Sequence, residues 1–142
     1  MQTESRLFQL NLGHAPMKRL IGVLYLLTGL VGFAWAWYVH AMVLYGAPFG
    51  WWNVALYGGS LTLIAGAVLW WASKRRWIRW LPVIGSGMLG SFFVPAFVVD
   101  LPNFLAVMRR DPQEVVIGVG SLGLVLSSLL VALRKALQAR VR

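Results

Sequence analysis

Apolar residues gather in four long blocks along this chain, Leu20–Tyr45, Trp51–Ala72, Leu81–Val99 and Val115–Leu133, and none of these contains an Asp, Glu, Lys or Arg. Each is about 20 residues long, which at ~1.5 Å per residue crosses a hydrocarbon core of ~30 Å. The blocks are apolar all round. A surface helix of a soluble domain shows one apolar stripe and one polar face, whereas a helix in lipid must be apolar on every side. The pattern therefore predicts a single all-α domain, an integral membrane four-helix bundle. Its helices are expected over about 18–45, 51–73, 80–101 and 113–135. Residues 1–16 read as a short interfacial arm and 136–142 as a basic tail.

Pro, Gly and Trp punctuate the blocks. Pro16 is placed to open the first helix, with Lys18 and Arg19 at headgroup level. Gly46, Pro48 and Gly50 form an uncharged turn. Trp51 and Trp52 begin the second helix and Trp70 and Trp71 end it, as expected of indoles anchored at both membrane surfaces. Pro82 opens the third helix, Pro95 is expected to kink it, and Pro102 to end the membrane stretch. Leu101–Glu114 is expected to be the longest loop. The first apolar stretch is too long for a signal-peptide core and reads as a retained helix.

Charge sets an orientation. Eleven Lys and Arg lie in the N-terminal arm, the Lys74–Arg79 turn and the C-terminal tail, against Arg109 and Arg110 alone on the opposite side. By the positive-inside rule both termini are expected to be cytoplasmic, in a multi-pass topology of the bacterial inner-membrane kind. The net charge is +9 and mean hydropathy +0.71. With the charges at helix ends, the basic excess points to anionic lipid headgroups on the cytoplasmic face and not to nucleic acid. The chain has no cysteine, which removes thiol redox chemistry, Cys-ligated metals and the paired-cysteine chemistry of disulfide-relay membrane enzymes.

Gly118-Val119-Gly120-Ser121-Leu122-Gly123 matches GxGxxG, but it sits inside an apolar block, where a dinucleotide site has neither its strand nor its water. Close helix packing is the better account. Small residues recur every fourth position at Gly58, Thr62 and Gly66, at Ser86 and Gly90, at Gly87 and Ser91, and at Gly123 and Ser127. Gly58, Gly66, Gly87, Gly90, Gly118 and Gly123 are accordingly assigned to packing, against sister helices or against another subunit.

Candidate chemistry is sparse. His40 and Asp100 each lie about 20 residues along parallel helices, so both should reach the same, outer boundary. Glu114, Arg109, Arg110 and Asp111 are expected at that depth, and Trp35, Trp37 and Tyr38 lie beside His40. His40, Asp100, Glu114, Arg110 and Trp37 are thus the candidates for ligand binding or proton handling. The competing reading makes the acids ordinary helix-end residues, favoured at a helix N-terminus by the dipole. No metal site and no cofactor is predicted. Haem stays open only if two copies of the chain each supply His40, because His14 falls at the other surface; a quinone stays open near His40.

No catalytic motif is found, and no ionisable residue lies at mid-bilayer. Small proton-coupled multidrug transporters carry an acid near the middle of helix one, where this chain has Thr28. By size and helix count the chain resembles the DoxX-like four-helix membrane proteins, with Lys18-Arg19-Leu20-Ile21-Gly22-Val23-Leu24-Tyr25-Leu26-Leu27-Thr28-Gly29 similar to their opening helix. That resemblance implies a four-helix bundle and brings no residue role with it. Three functions are carried forward. They are a non-catalytic subunit or accessory factor of a larger membrane complex, a small oligomeric transporter or channel, and a binder or enzyme for a lipid-soluble ligand near His40 and Asp100. The partners expected are lipids and either further copies of the chain or another membrane subunit.

Overall fold

The computed structural model describes residues 2–44, 46, 49–107 and 111–141, with side chains for 16–41, 46, 49–99, 102 and 111–140. Its long helices are α1 (Gln2–Leu44), α2 (Trp51–Ala72), α3 (Trp80–Val107) and α4 (Pro112–Val141). A 3₁₀ turn, Arg76–Arg79, joins α2 to α3. Each long helix holds a stretch able by length and composition to cross a membrane: Pro16–Ala41, Trp51–Ala72, Arg76–Val99 and Pro112–Arg140.

Three boundaries differ from the expectation. α1 begins at Gln2, so Pro16 lies inside the helix and not at its start. Pro102 likewise lies inside α3, which runs on to Val107 and takes up half of the expected Leu101–Glu114 loop. A proline removes one N–H and crowds one carbonyl, and the remaining helical bonds on both sides can hold the helix through it. α4 extends through the basic tail to Val141. The segment Arg134-Lys135-Ala136-Leu137-Gln138-Ala139-Arg140 consists of strong helix formers, which continue the helix past the membrane.

Local chemistry ends and starts the helices. Ser73 leaves α2 in extended conformation, its N–H still bonded to the Leu69 carbonyl at 2.8 Å. Its hydroxyl then accepts the Arg75 N–H at 3.4 Å, turning the chain toward α3. At the start of α2 lies the buried Asn53; with its amide turned so that the oxygen faces the donors, that oxygen accepts from Gly50 N–H and Trp52 Nε1, both at 3.2 Å. Asp111 caps α4, accepting the Gln113 N–H at 3.1 Å, with Pro112 in the first helical position.

α1 packs on α2, α2 on α3 and α3 on α4, while α4 closes more loosely on α1; α1 and α3 lie diagonally. The interior mixes small and hydroxyl side chains with packed apolar ones, and the exterior is large and apolar. On α1, Tyr25, Thr28, Gly29, Gly32 and Ala36 turn inward, whereas Leu20, Val23, Leu27, Leu30 and Trp37 turn outward. Leu56, Leu63, Leu89, Phe93 and Val125 fill the centre with them. Water would drive those outer leucines inward, but lipid does not, so association rests on close packing and internal hydrogen bonds.

Both are present. At the α2–α3 crossing a Cβ on Gly59 would lie 2.9 Å from the Gly85 carbonyl oxygen, and one on Gly85 would lie 2.8 Å from the Gly59 oxygen. The two backbones touch, and only glycine permits it. Between α1 and α4, Thr28 and Ser128 are hydroxyl to hydroxyl at 2.6 Å, both buried. Thr28 already donates to the Leu24 carbonyl at 2.8 Å, so Ser128 is the donor of the pair. Trp35 Nε1 donates to Ser121 Oγ at 2.9 Å, tying the same two helices again.

Candidate functional site

At one end of the bundle His40 is partly buried in aromatic rings. Trp37, one turn earlier on α1, stacks on it at 6.3 Å with an interplanar angle of 16°. Tyr57 of α2 meets it edge-on at 6.0 Å, and Phe33 packs edge-on against Tyr57 at 5.7 Å. Among the described residues, His40 Nδ1 is buried without a hydrogen-bond partner. Trp37 is 67% exposed, so its other face is open to the surroundings. Trp35 is turned the opposite way, into the core against Phe93 at 5.8 Å.

Of the remaining candidates at this end, only Glu114 has a described side chain. Asp100 is on α3, with its side chain outside the described residues, and Arg110 also lies outside them. Glu114 is exposed in the first turn of α4, three residues after the capping Asp111. The expected meeting of His40 with Asp100 and Arg110 therefore falls outside the described residues. The described ring contacts of His40 are to α1 and α2.

The packing glycines divide by what surrounds them. A Cβ on Gly58 would press on Met88 Cε at 2.7 Å, one on Gly66 on the Pro82 ring at 3.2 Å, and one on Gly90 would just reach Val125 at 3.9 Å. Gly118 is half-buried. Gly87 and Gly123 have open space, so among the described residues nothing packs against them. Sequence reasoning passed over Gly59 and Gly85, where two helix backbones meet directly. Their neighbours Gly58 and Gly87 offered the same spacing, and only the helix rotation distinguishes the two sets.

The opposite end holds a feature that sequence reasoning did not anticipate: a cavity of about 1080 Å³ between α1, the α2–α3 connection and α4. Lys18, Lys74, Arg75, Arg76, Arg79, Arg134 and Lys135 line it, over apolar surface from Ile21, Trp70, Ile78 and Leu137. Trp70 Nε1 donates to the Lys18 carbonyl at 3.2 Å, clamping α2 to α1 at the cavity edge. Tyr25 packs edge-on against Trp70 at 5.9 Å, and its hydroxyl is buried without a partner. Among the described residues no carboxylate lines the cavity and no cation there makes an ion pair. The one-sided basic clusters were legible in the sequence. Their closure around one space was not, because they come from three distant segments.

Among the described residues no group of three His, Asp or Glu is arranged to hold a metal ion. Four apolar spans and an exterior of large apolar side chains define an integral multi-pass membrane protein. No protein-family model matches the chain, and neither a curated protein nor a solved structure matches it.

Proposed function

We propose that this chain is a non-catalytic subunit or accessory factor of a larger membrane complex, with both termini cytoplasmic in a bacterial inner membrane. One observation carries the reading: Gly120, Gly123 and Ser127 on α4, and Gly87 and Ser91 on α3, face outward, and the three glycines have open space where a Cβ would stand. α4 is also the least buried of the four spans. Small residues on a lipid-facing surface leave a flat strip that another helix can approach closely, and lipid gives no other reason to prefer them there. Two pairs of interior polar groups, Thr28 with Ser128 and Trp35 with Ser121, meanwhile tie α1 to α4. The eleven-to-two distribution of cations supports the orientation. Pro95, which has no N–H to give α3, is the expected site of a kink.

Purification in mild detergent tests this. The chain should emerge with a stoichiometric second membrane protein. Gly120→Leu with Gly123→Leu should release that partner while changing the stability of the chain itself by no more than ~0.5 kcal/mol, since nothing in the chain opposes the added bulk. A homo-oligomer broken by the same pair would move the assignment to a small oligomeric transporter or channel. A chain that runs alone, with or without the substitutions, would refute the reading. A second reading, a lipid-soluble ligand held near His40, is favoured by the unpartnered Nδ1 beside the open face of Trp37. Co-purified quinone or pigment lost in His40→Ala would support it.

A further inference from the structure

We propose that the basic cavity is a binding site for one anionic phospholipid, its phosphate held by the cations and an acyl chain lying on the apolar floor. The argument begins with charge. Seven cations surround one space, and they arrive from α1, the α2–α3 connection and α4. Like charges gathered by tertiary structure repel unless something neutralises them, and among the described residues no carboxylate lines the space to do so. Cations strung along a flat membrane surface need no such explanation, because each faces bulk headgroups. These line a half-open cavity of about 1080 Å³, just above the ~300–1,000 Å³ range of pockets that hold small molecules.

The second part is the floor. A site for a small free anion would be polar throughout. Here Ile78 is buried, Ile21 and Trp70 are packed into the core, and Leu137 is half exposed beside them. Cations above apolar surface match an amphiphile, with an anionic head and a hydrocarbon tail. The third part is depth. Trp71, Trp77 and Trp80 are exposed at this same end, and indoles settle at the headgroup boundary. The cavity thus stands at the level of lipid phosphates, where an anionic lipid is the most abundant partner of that chemistry.

The test uses the full chain in detergent, stripped of lipid and titrated by native mass spectrometry. The probes are phosphatidylglycerol, phosphatidylcholine with the same acyl chains, and inorganic phosphate. The expected result is a one-to-one adduct with phosphatidylglycerol, at least tenfold tighter than any with phosphatidylcholine. Arg79→Gln with Arg134→Gln and Lys135→Gln should weaken it about tenfold or more. The side chains of these three make no hydrogen bond or ion pair among the described residues, so the fold should persist, as a thermal melt will check. Arg19→Gln with Arg140→Gln removes two cations outside the lining and should change affinity less than twofold. Equal affinity for the two lipids, or equal weakening by the control pair, would reduce the site to bulk electrostatics and overturn the proposal. Displacement of the lipid by millimolar phosphate would mark a free-anion site and overturn it as well.

Discussion

Gly85 and Gly87 are two residues apart on α3, and a methyl group should have opposite effects at the two. A Cβ on Gly85 would stand 2.8 Å from the Gly59 carbonyl oxygen and 2.9 Å from both the backbone nitrogen and Cγ of Leu63. Two of those atoms are backbone, so no rotamer change relieves the contact. Ordinary contact begins near 3.4 Å, and α2 and α3 must part by about half an ångström. Overpacking of that kind typically costs about 1–3 kcal/mol. A Cβ on Gly87 meets nothing within 4 Å. Both positions are helix interior, so each substitution also gains the roughly 1 kcal/mol by which Ala exceeds Gly in a helix. That gain cancels in the difference between the two variants, which isolates the steric part. Gly85→Ala should therefore unfold more easily than Gly87→Ala by about 1–3 kcal/mol, with Gly87→Ala neutral or stabilised. Unfolding in mixed micelles with increasing SDS, followed by circular dichroism at the helical band, measures this. Equal stabilities for the two variants, or a Gly87→Ala as weakened as Gly85→Ala, would refute the crossing geometry.

Three further outcomes are expected. In a double-mutant cycle, Thr28→Val and Ser128→Ala should show a coupling of ~0.5–1.5 kcal/mol, the range of hydrogen bonds between membrane helices; zero coupling would mean the 2.6 Å contact is not a bond in the folded protein. Asp111→Ala removes the cap of α4 and should lower stability by ~1 kcal/mol in the same SDS titration, while Glu114→Gln, exposed and not the cap, should matter less. The chain has no cysteine, so single cysteines report its topology directly. Phe49→Cys and Asp111→Cys should label from outside intact cells with an impermeant thiol reagent and Lys74→Cys should not; the reverse pattern would invert the orientation.

The number of spans, their places and the gathering of cations at alternate connections were readable along the chain. Each is set by a local requirement: a span needs about 20 residues without charge, and a cation needs water or headgroups. The ends were harder to read. Pro16 and Pro102 look like terminators, yet helix continues through both. A proline forfeits one hydrogen bond, and whether a helix absorbs that depends on the bonds on either side of it.

Which face of each helix is inside was not readable at all. In a soluble helix the apolar stripe announces its own direction, but here Leu27 and Tyr25 are both apolar and one meets lipid while the other is buried. Lipid accepts either. The rotation is decided by backbone approach and by paired hydroxyls, which are properties of two helices together. That is why Gly59 and Gly85 touch while Gly87 and Gly123 stand open, and why Ser128 finds Thr28 a hundred residues away. The same holds for function. The sequence determined that Lys18, Arg79 and Lys135 share one end, because each obeys the membrane separately. Only the tertiary structure decided that they surround one cavity with an apolar floor, because a concave site exists only once three distant segments are packed together.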